Sequence, residues 1–319
     1  MKQHADRRTP TKNQGSEHQQ TSTNKTSVRG DGIVVLIEAR ELAEILGGQG
    51  VVVFDCRFSL ADKNQGFSAY LAGHVPGAHY LHLEHDLSSP VREHGGRHPL
   101  PDMEEFAEKV ALAGVDLEKT VVVYDAGGGM SPRAWWLLDQ LGVKNVRILN
   151  GGWNAYVSAG LPVSVEIPDV LPATAATALA VPSLEKIRDK VVSVEDVLDI
   201  VAGETEGLLV DARSAARYRG EVEPIDNVAG HIPGAMNAPW EEGVDDAGRW
   251  LDRDEQRARF AKAIESAKPL VMYCGSGVSA CANLFALRLA GIENAKLYPG
   301  SWSDWTSYPK HPIERTPTP

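Results

Sequence analysis

The chain aligns with itself. One half contains VVVFDCRFS (51–59), GHVPGAHYL (73–81) and VVVYDAGGGMSPRAWWLLDQLGVKNVRILNGGWNAY (121–156). The other contains GLLVDARSA (207–215), GHIPGAMNA (230–238) and LVMYCGSGVSACANLFALRLAGIENAKLYPGSWSDW (270–305). Asp55 precedes His74 by 19 positions and Asp211 precedes His231 by 20; Asp125 precedes Trp153 by 28, and Cys274 precedes Trp302 by 28. Gly142 matches Gly291, and Asn145 matches Asn294. Such agreement marks a duplicated domain, and 319 residues suit two domains of ordinary size.

Each unit opens with a β-branched run ending in Asp, the pattern of a strand buried on both faces. A GHxPGA turn follows, then a second apolar strand, a glycine-rich loop and a helix of about 15 residues closed by Gly142 or Gly291. "VRIL" and "AKLY" read as further strands. Strands alternating with helices predict an α/β fold, each unit a parallel sheet flanked by helices. The units span 33–165 and 189–319. Between them, 166–188 is rich in Pro, Ala and Thr and reads as a surface connector. A helix over Glu195–Val201 opens the second unit. Residues 1–32 are polar, lack the apolar core of a signal peptide, and read as a disordered tail.

A net charge of −11 argues against nucleic acid as a partner. No apolar run reaches the length of a membrane helix, so no membrane is expected either. The odd set Cys56, Cys274 and Cys281, without CxxC, fits a reducing cytoplasm. No His/Cys/Asp cluster has metal spacing, so neither metal nor cofactor is expected. Cys56, Cys281 and Trp135, Trp136, Trp153, Trp302 and Trp305 read as packing.

Cys274 is different. It sits where a strand turns into a helix, before Gly275, Ser276, Gly277, Val278 and Ser279. The first N–H groups of a helix are unpaired and carry partial positive charge. Glycines at 275 and 277 let the backbone curl so that these groups converge in an anion nest. A thiol there has its thiolate favoured. The loop is no phosphate-binding P-loop, since the Lys-Ser/Thr ending is missing. In the other half the aligned residue is Asp125, which cannot be a sulfur nucleophile, so a single active site is expected.

The repeat, the two GH[VI]PGA turns, DARSAARYRGEVEP and YCGSGVSA together resemble the two-domain rhodanese family of sulfurtransferases over nearly all of 33–315. The resemblance implies two tandem rhodanese-like domains, the first silent and the second catalytic. It implies that Cys274 accepts a sulfane sulfur as a persulfide and passes it on. Its partners would be a small-molecule sulfur donor and acceptor; cyanide, a small thiol or a thioredoxin-like protein would suit as acceptor. The neutral CGSGVS loop resembles members that use 3-mercaptopyruvate, with Gly275, Gly277, Val278 and Ser279 lining the donor site. By the same resemblance Ser276 shuttles a proton with a histidine of the first domain, for which His74 is the candidate. The alternatives are a Ser276 hydroxyl that only bonds its own loop and a His74 that orients a turn. Asp62 or Asn64 stands near as that histidine's partner. Arg217 matches the substrate arginine, a fork suited to a carboxylate; Arg219 reads as a solvated charge and Arg213 as a structural pair. The second arginine of mercaptopyruvate users has no match: Ile225 and Asp226 stand there, as in thiosulfate users.

Two rival readings are weaker. A cysteine phosphatase needs C-x5-R, and Ala280 stands at that place. A non-catalytic sulfur-relay or binding module has no need of a thiol in a complete loop.

Overall fold

A computed structural model describes residues 35–127, 129–181, 187 and 189–316; the tail expected over 1–32, and residues 182–186 and 188 of the connector, lie outside the described residues. The first sheet holds β1 (Leu36–Ile37), β2 (Val51–Asp55), β3 (Ala78–Tyr80), β4 (Thr120–Tyr124) and β5 (Val146–Leu149), in the order β1-β5-β4-β2-β3. The second holds β6 (Leu208–Asp211), β7 (Met236–Asn237), β8 (Leu270–Tyr273) and β9 (Lys296–Leu297), in the order β7-β6-β8-β9. Every pairing is parallel. Taken from its other edge, β9-β8-β6-β7 repeats β5-β4-β2-β3, and a parallel bridge from Val191 to Leu297 stands where β1 pairs with β5. The duplication in sequence is a duplication of topology.

Helices cover both faces, which is why the central strands are unbroken apolar runs rather than alternating ones. The first unit carries α1 (Ala39–Ile45), α2 (Gln65–Ala72), α3 (Met103–Leu112), α4 (Ser131–Gln140) and α5 (Gly152–Ser158). The second carries α6 (Val194–Ala202), α7 (Ala215–Arg219), α8 (Arg253–Arg259), α9 (Ala261–Glu265), α10 (Ala280–Leu289) and α11 (Ser301–Trp305). A capping box between Ser193 and Asp196 sets the start of α6.

The helices expected at about 15 residues, α4 and α10, are ten residues each. The difference is one of length alone: 275–279, like 126, 127, 129 and 130 in the first unit, form the loop that the sequence marks off before the helix. Gly142 and Gly291 follow the C-caps with φ of 81° and 77°, as their positions implied. Eight residues of each helix are buried, because α4 and α10 pack on each other. Trp135 meets Phe285 edge-on at 5.0 Å, and Trp250 meets the same ring at 4.8 Å. One apolar cluster therefore runs through both units and includes Cys56 and Cys281. Its consequence is positional: the loops that precede α4 and α10 are brought together, and Arg133 in the first turn of α4 reaches the carbonyl of Gly277 at 3.4 Å.

Candidate active site

Cys274 directly follows β8 and is 1% exposed. Its N–H donates to Ser301 Oγ at 3.0 Å, and its carbonyl accepts from Trp302 N at 2.9 Å. The Gly275 carbonyl accepts from Ser303 N at 2.9 Å. These bonds fasten the start of the loop to α11. The chain then curls through Gly277, at φ +78°, and the Gly277 N–H donates to Cys274 Sγ at 3.1 Å. A sulfur at the head of α10 with a backbone N–H aimed at it is a site built for an anion.

The twin loop shows what the curl prefers. Asp125 Oδ1 accepts from Gly127 N at 2.8 Å; Oδ2 accepts from Met130 N at 2.6 Å and Ser131 N at 2.7 Å. Trp153 N donates to the Asp125 carbonyl, as Trp302 N does to that of Cys274. A carboxylate fills the first cradle permanently, where the second presents a thiol.

The first unit walls the site. Leu60, Leu83, Arg97, His98 and Met130 join Arg217, Ile225 and the 274–279 loop around a cleft of about 60 Å³. A larger groove of about 260 Å³, between α3 and residues 173–181, is lined by neither cysteine nor histidine. The two units exchange segments here. Gly95 N donates to Asp304 Oδ1 at 2.7 Å and Arg97 N to Ser303 Oγ at 3.1 Å, on the second unit. Reciprocally, Trp250 N donates to Asn150 Oδ1 at 2.9 Å and Arg249 to Glu38 at 3.0 Å, on the first.

The histidine at Ser276 is His98, not His74. His98 Nδ1 lies 2.7 Å from Ser276 Oγ, and both residues are buried. Burial first, then the Arg133 and Arg97 guanidiniums, lower the imidazole to about 4; Glu84 opposes them. His98 is thus neutral above pH 5 and is able to accept the Ser276 proton. His74 corrects the expectation. Its Nδ1 lies 2.8 Å from the Tyr70 carbonyl, its Nε2 3.0 Å from that of Glu166, and its ring stacks on Tyr70 at 4.1 Å. His231 repeats this arrangement with the Tyr218 carbonyl, at 2.7 Å, and the Tyr218 ring. A histidine present in both halves, only one of which has a cysteine at the head of its glycine-rich loop, holds the GHxPGA turn. The overlooked signal is GRHPLP against GRWLD: where the first half has His98, the second has Trp250. Asp62 and Asn64 are not partners of His98 either, since Asp62 accepts the N–H of Asn64 in an exposed turn at 3.0 Å.

Two expected outcomes follow. His98→Ala lowers kcat by about 10²-fold, a general-base-sized loss. His74→Ala keeps kcat per folded molecule and lowers unfolding free energy by about 2 kcal/mol. Steady-state kinetics with urea melts decide it; equal kcat losses would refute the assignment. The pH profile of kcat/KM is a second check. Protonation of His98 removes the acceptor only as pH falls toward 4, so the acid limb lies near 4. A limb near 6.5 that vanishes in His98→Gln would contradict the buried neutral ring.

Four guanidiniums surround the loop. Arg217 lines the cleft; its Nη2 donates to Glu223 at 2.7 Å and to Asp226 at 3.1 Å. Arg97 pairs with the other oxygen of Asp226. Arg213 pairs with Asp211 at 2.7 Å and Glu223 at 3.2 Å. Arg133 is buried and donates to the carbonyls of Leu87, His98, Pro99 and Gly277. Arg219 pairs with Glu221 at the surface. Cys281 donates to the Gly277 carbonyl at 3.3 Å, and burial pushes its thiol up to about 12, so it packs rather than reacts. Among the described residues no group of three or more His, Cys, Asp or Glu is placed to hold a metal, and no helix is long and apolar enough to cross a membrane.

Comparison with known proteins agrees with this arrangement. Residues 38–159 and 193–308 each match the rhodanese-like domain. The chain is 43% identical to the "Probable 3-mercaptopyruvate sulfurtransferase" of Pseudomonas aeruginosa, over 87% of this chain and 97% of that protein. It is 32% identical to the thiosulfate sulfurtransferase of Gallus gallus, over 85% and 92% of the respective lengths. The crystal structure of SseA, a 3-mercaptopyruvate sulfurtransferase from Escherichia coli, superposes with a TM-score of 0.71 at 34% identity, covering 84% of this chain and 98% of that one.

Proposed function

Because the chain belongs to the rhodanese family and is a sulfurtransferase, we propose that its second domain takes sulfur from 3-mercaptopyruvate through Cys274, with the first domain silent. The observation that carries this reading is the pair of matched cradles, one closed by Asp125 and one open with a sulfur against the Gly277 N–H.

In this reading the Cys274 thiolate attacks the sulfur of the donor. A Cys–S bond to that sulfur forms and the carbon–sulfur bond breaks; its electron pair leaves on the three-carbon fragment as an enolate. Ser276 and His98 relay the proton released from the transferred sulfur to the enolate carbon, giving pyruvate and a Cys274 persulfide anion. The N–H curl stabilises that anion. An acceptor thiolate or cyanide then takes the outer sulfur, and Cys274 leaves as thiolate. Gly275, Gly277, Val278 and Ser279 shape the donor site, and Arg217 binds the donor carboxylate.

The neutral loop favours a keto acid with one carboxylate. The runner-up, thiosulfate, draws on the absence of an arginine at Ile225 and Asp226, and the relative from Gallus gallus carries that name. The ratio of kcat/KM for the two donors decides: 3-mercaptopyruvate is expected to lead by at least about tenfold, and the reverse order would replace this reading with the second. Arg217→Ala is expected to raise KM for 3-mercaptopyruvate by about 10- to 100-fold with a smaller effect on kcat; an unchanged KM removes Arg217 from the donor site. All three cysteines are free and buried, which fits a reducing, cytoplasmic setting and a thioredoxin-like protein as one acceptor.

A further inference from the structure

We propose that Arg133 is a positioning residue of the proton relay: buried in the seam, its guanidinium holds the backbone of His98 against the Gly277 curl so that the imidazole meets Ser276. The proposal rests on the relay described above and names what keeps it in register.

Three observations carry it. First, one side chain joins the two partners of the relay. Arg133 Nη2 donates to the carbonyls of His98 and Pro99 at 3.2 and 3.3 Å, and Nη1 donates to that of Gly277 at 3.4 Å. Nε donates to the Leu87 carbonyl at 3.3 Å, which fixes the plane of the fork. Within this frame His98 Nδ1 lies 2.7 Å from the Oγ of Ser276, the residue next to Gly277. A proton moves only over hydrogen-bond distance, so a slip of about 1 Å between the two backbones breaks its path. Second, the guanidinium is costly where it stands. It is 0% exposed, and all four of its bonds go to neutral carbonyls. Burial lowers it from its ordinary range; the groups that oppose this are the thiols of Cys281 and Cys274, with no carboxylate among them. A cation taken out of water without a carboxylate to pair it is expensive, and packing alone does not require one. Third, the repeat supplies a contrast. The offset that matches Asp125 with Cys274 puts Ala282 opposite Arg133. The first half alone has this arginine, as it alone has His98, and both reach the loop of the second half.

The charge acts on the same ring. Arg133, Arg97 and Lys63 disfavour protonation of His98, Glu84 favours it, and Ser276 Oγ faces it across the seam. Burial is the largest influence and Arg133 the next. Taking the guanidinium away makes protonation easier, so the acid limb of the rate moves to higher pH.

The test is a double-mutant cycle read by single-turnover release of pyruvate from 3-mercaptopyruvate, per folded molecule. Arg133→Met is expected to lower the rate at saturating donor by about 30-fold, with half-saturation within about threefold of the wild type. Its acid limb is expected to rise by about one pH unit from its place near 4. Introduced into His98→Ala, the same substitution is expected to cost less than about threefold more, since no imidazole is left to position. Arg133→Lys keeps the charge without the fork: the rate is expected to fall about tenfold with the acid limb unmoved, and this variant carries the cycle if the methionine variant does not fold. Losses that multiply through the cycle, or an acid limb that stays in place in Arg133→Met, overturn the proposal and leave Arg133 as packing. If instead His98→Ala releases pyruvate at the wild-type rate, the relay itself fails and the proposal falls with it.

Discussion

Cys274→Ser is expected to abolish persulfide formation and to lower sulfur transfer by at least about 10⁴-fold. The size follows from the chemistry: the hydroxyl is a far weaker nucleophile than a thiolate, and no neighbour takes over. Cys281 is held against the Gly277 carbonyl with its thiol pushed up to about 12, and Cys56 is buried and pushed well above its ordinary range by burial and by Asp55. The fold should hardly notice, because a serine oxygen also accepts the Gly277 N–H. Incubation with 3-mercaptopyruvate followed by mass spectrometry reads the result: one added sulfur on the wild type, none on the variant. An undiminished adduct in Cys274→Ser would place the sulfur elsewhere and end the assignment.

The second large effect is expected from a residue with no side chain. Gly277 holds φ +78°, and a Cβ there would stand 2.3 Å from the Pro299 carbonyl. Alanine at that dihedral costs about 1–2 kcal/mol, and the contact is with backbone that cannot rotate away. The loop must therefore move, and with it the N–H that meets Cys274 Sγ. Gly277→Ala should lose about 3 kcal/mol of stability and about 10²-fold in kcat/KM, the loss of one oxyanion-type donor. Gly142→Ala is the control. It has the same sign of φ, +81°, and nothing within 4 Å of its Cβ, so only the conformational cost of about 1 kcal/mol remains, with activity per folded molecule unchanged. Equal activity losses in the two variants would mean that the Gly277 curl has no special part.

The reactive loop was legible because everything that makes it lies within a few positions: a strand, a cysteine, two glycines and a helix. The sheets were legible for a related reason, since fully buried parallel strands leave unbroken β-branched runs, and the duplication supplied two copies of each clue. His98 and Arg97 were not legible in the same way. They sit in an irregular stretch between β3 and α3, and their position acquires meaning only when α4 and α10 pack and carry that stretch over to the second domain. His74 drew attention because it is a buried histidine in a distinctive turn. Its reappearance as His231 is the reason it serves the turn: what both halves keep, the fold needs; what one half alone keeps, the chemistry uses. The two helices were read too long, since neither α4 nor α10 starts on a side-chain cap that would mark its first turn.

The crossing of segments between the units has a consequence for what counts as the enzyme. The second domain holds the sulfur, but the imidazole and one guanidinium beside it belong to its neighbour, while the neighbour's own loop is plugged and receives Arg249 and Trp250 in return. Competence is therefore a property of the seam. Whatever parts the halves therefore separates the sulfur from its imidazole. And a chain with one such domain, paired with its own copy in the same arrangement, would hold two equivalent centres, each finished by the other chain. With both units in one polypeptide, one centre carries the sulfur and the aspartate closes the other cradle.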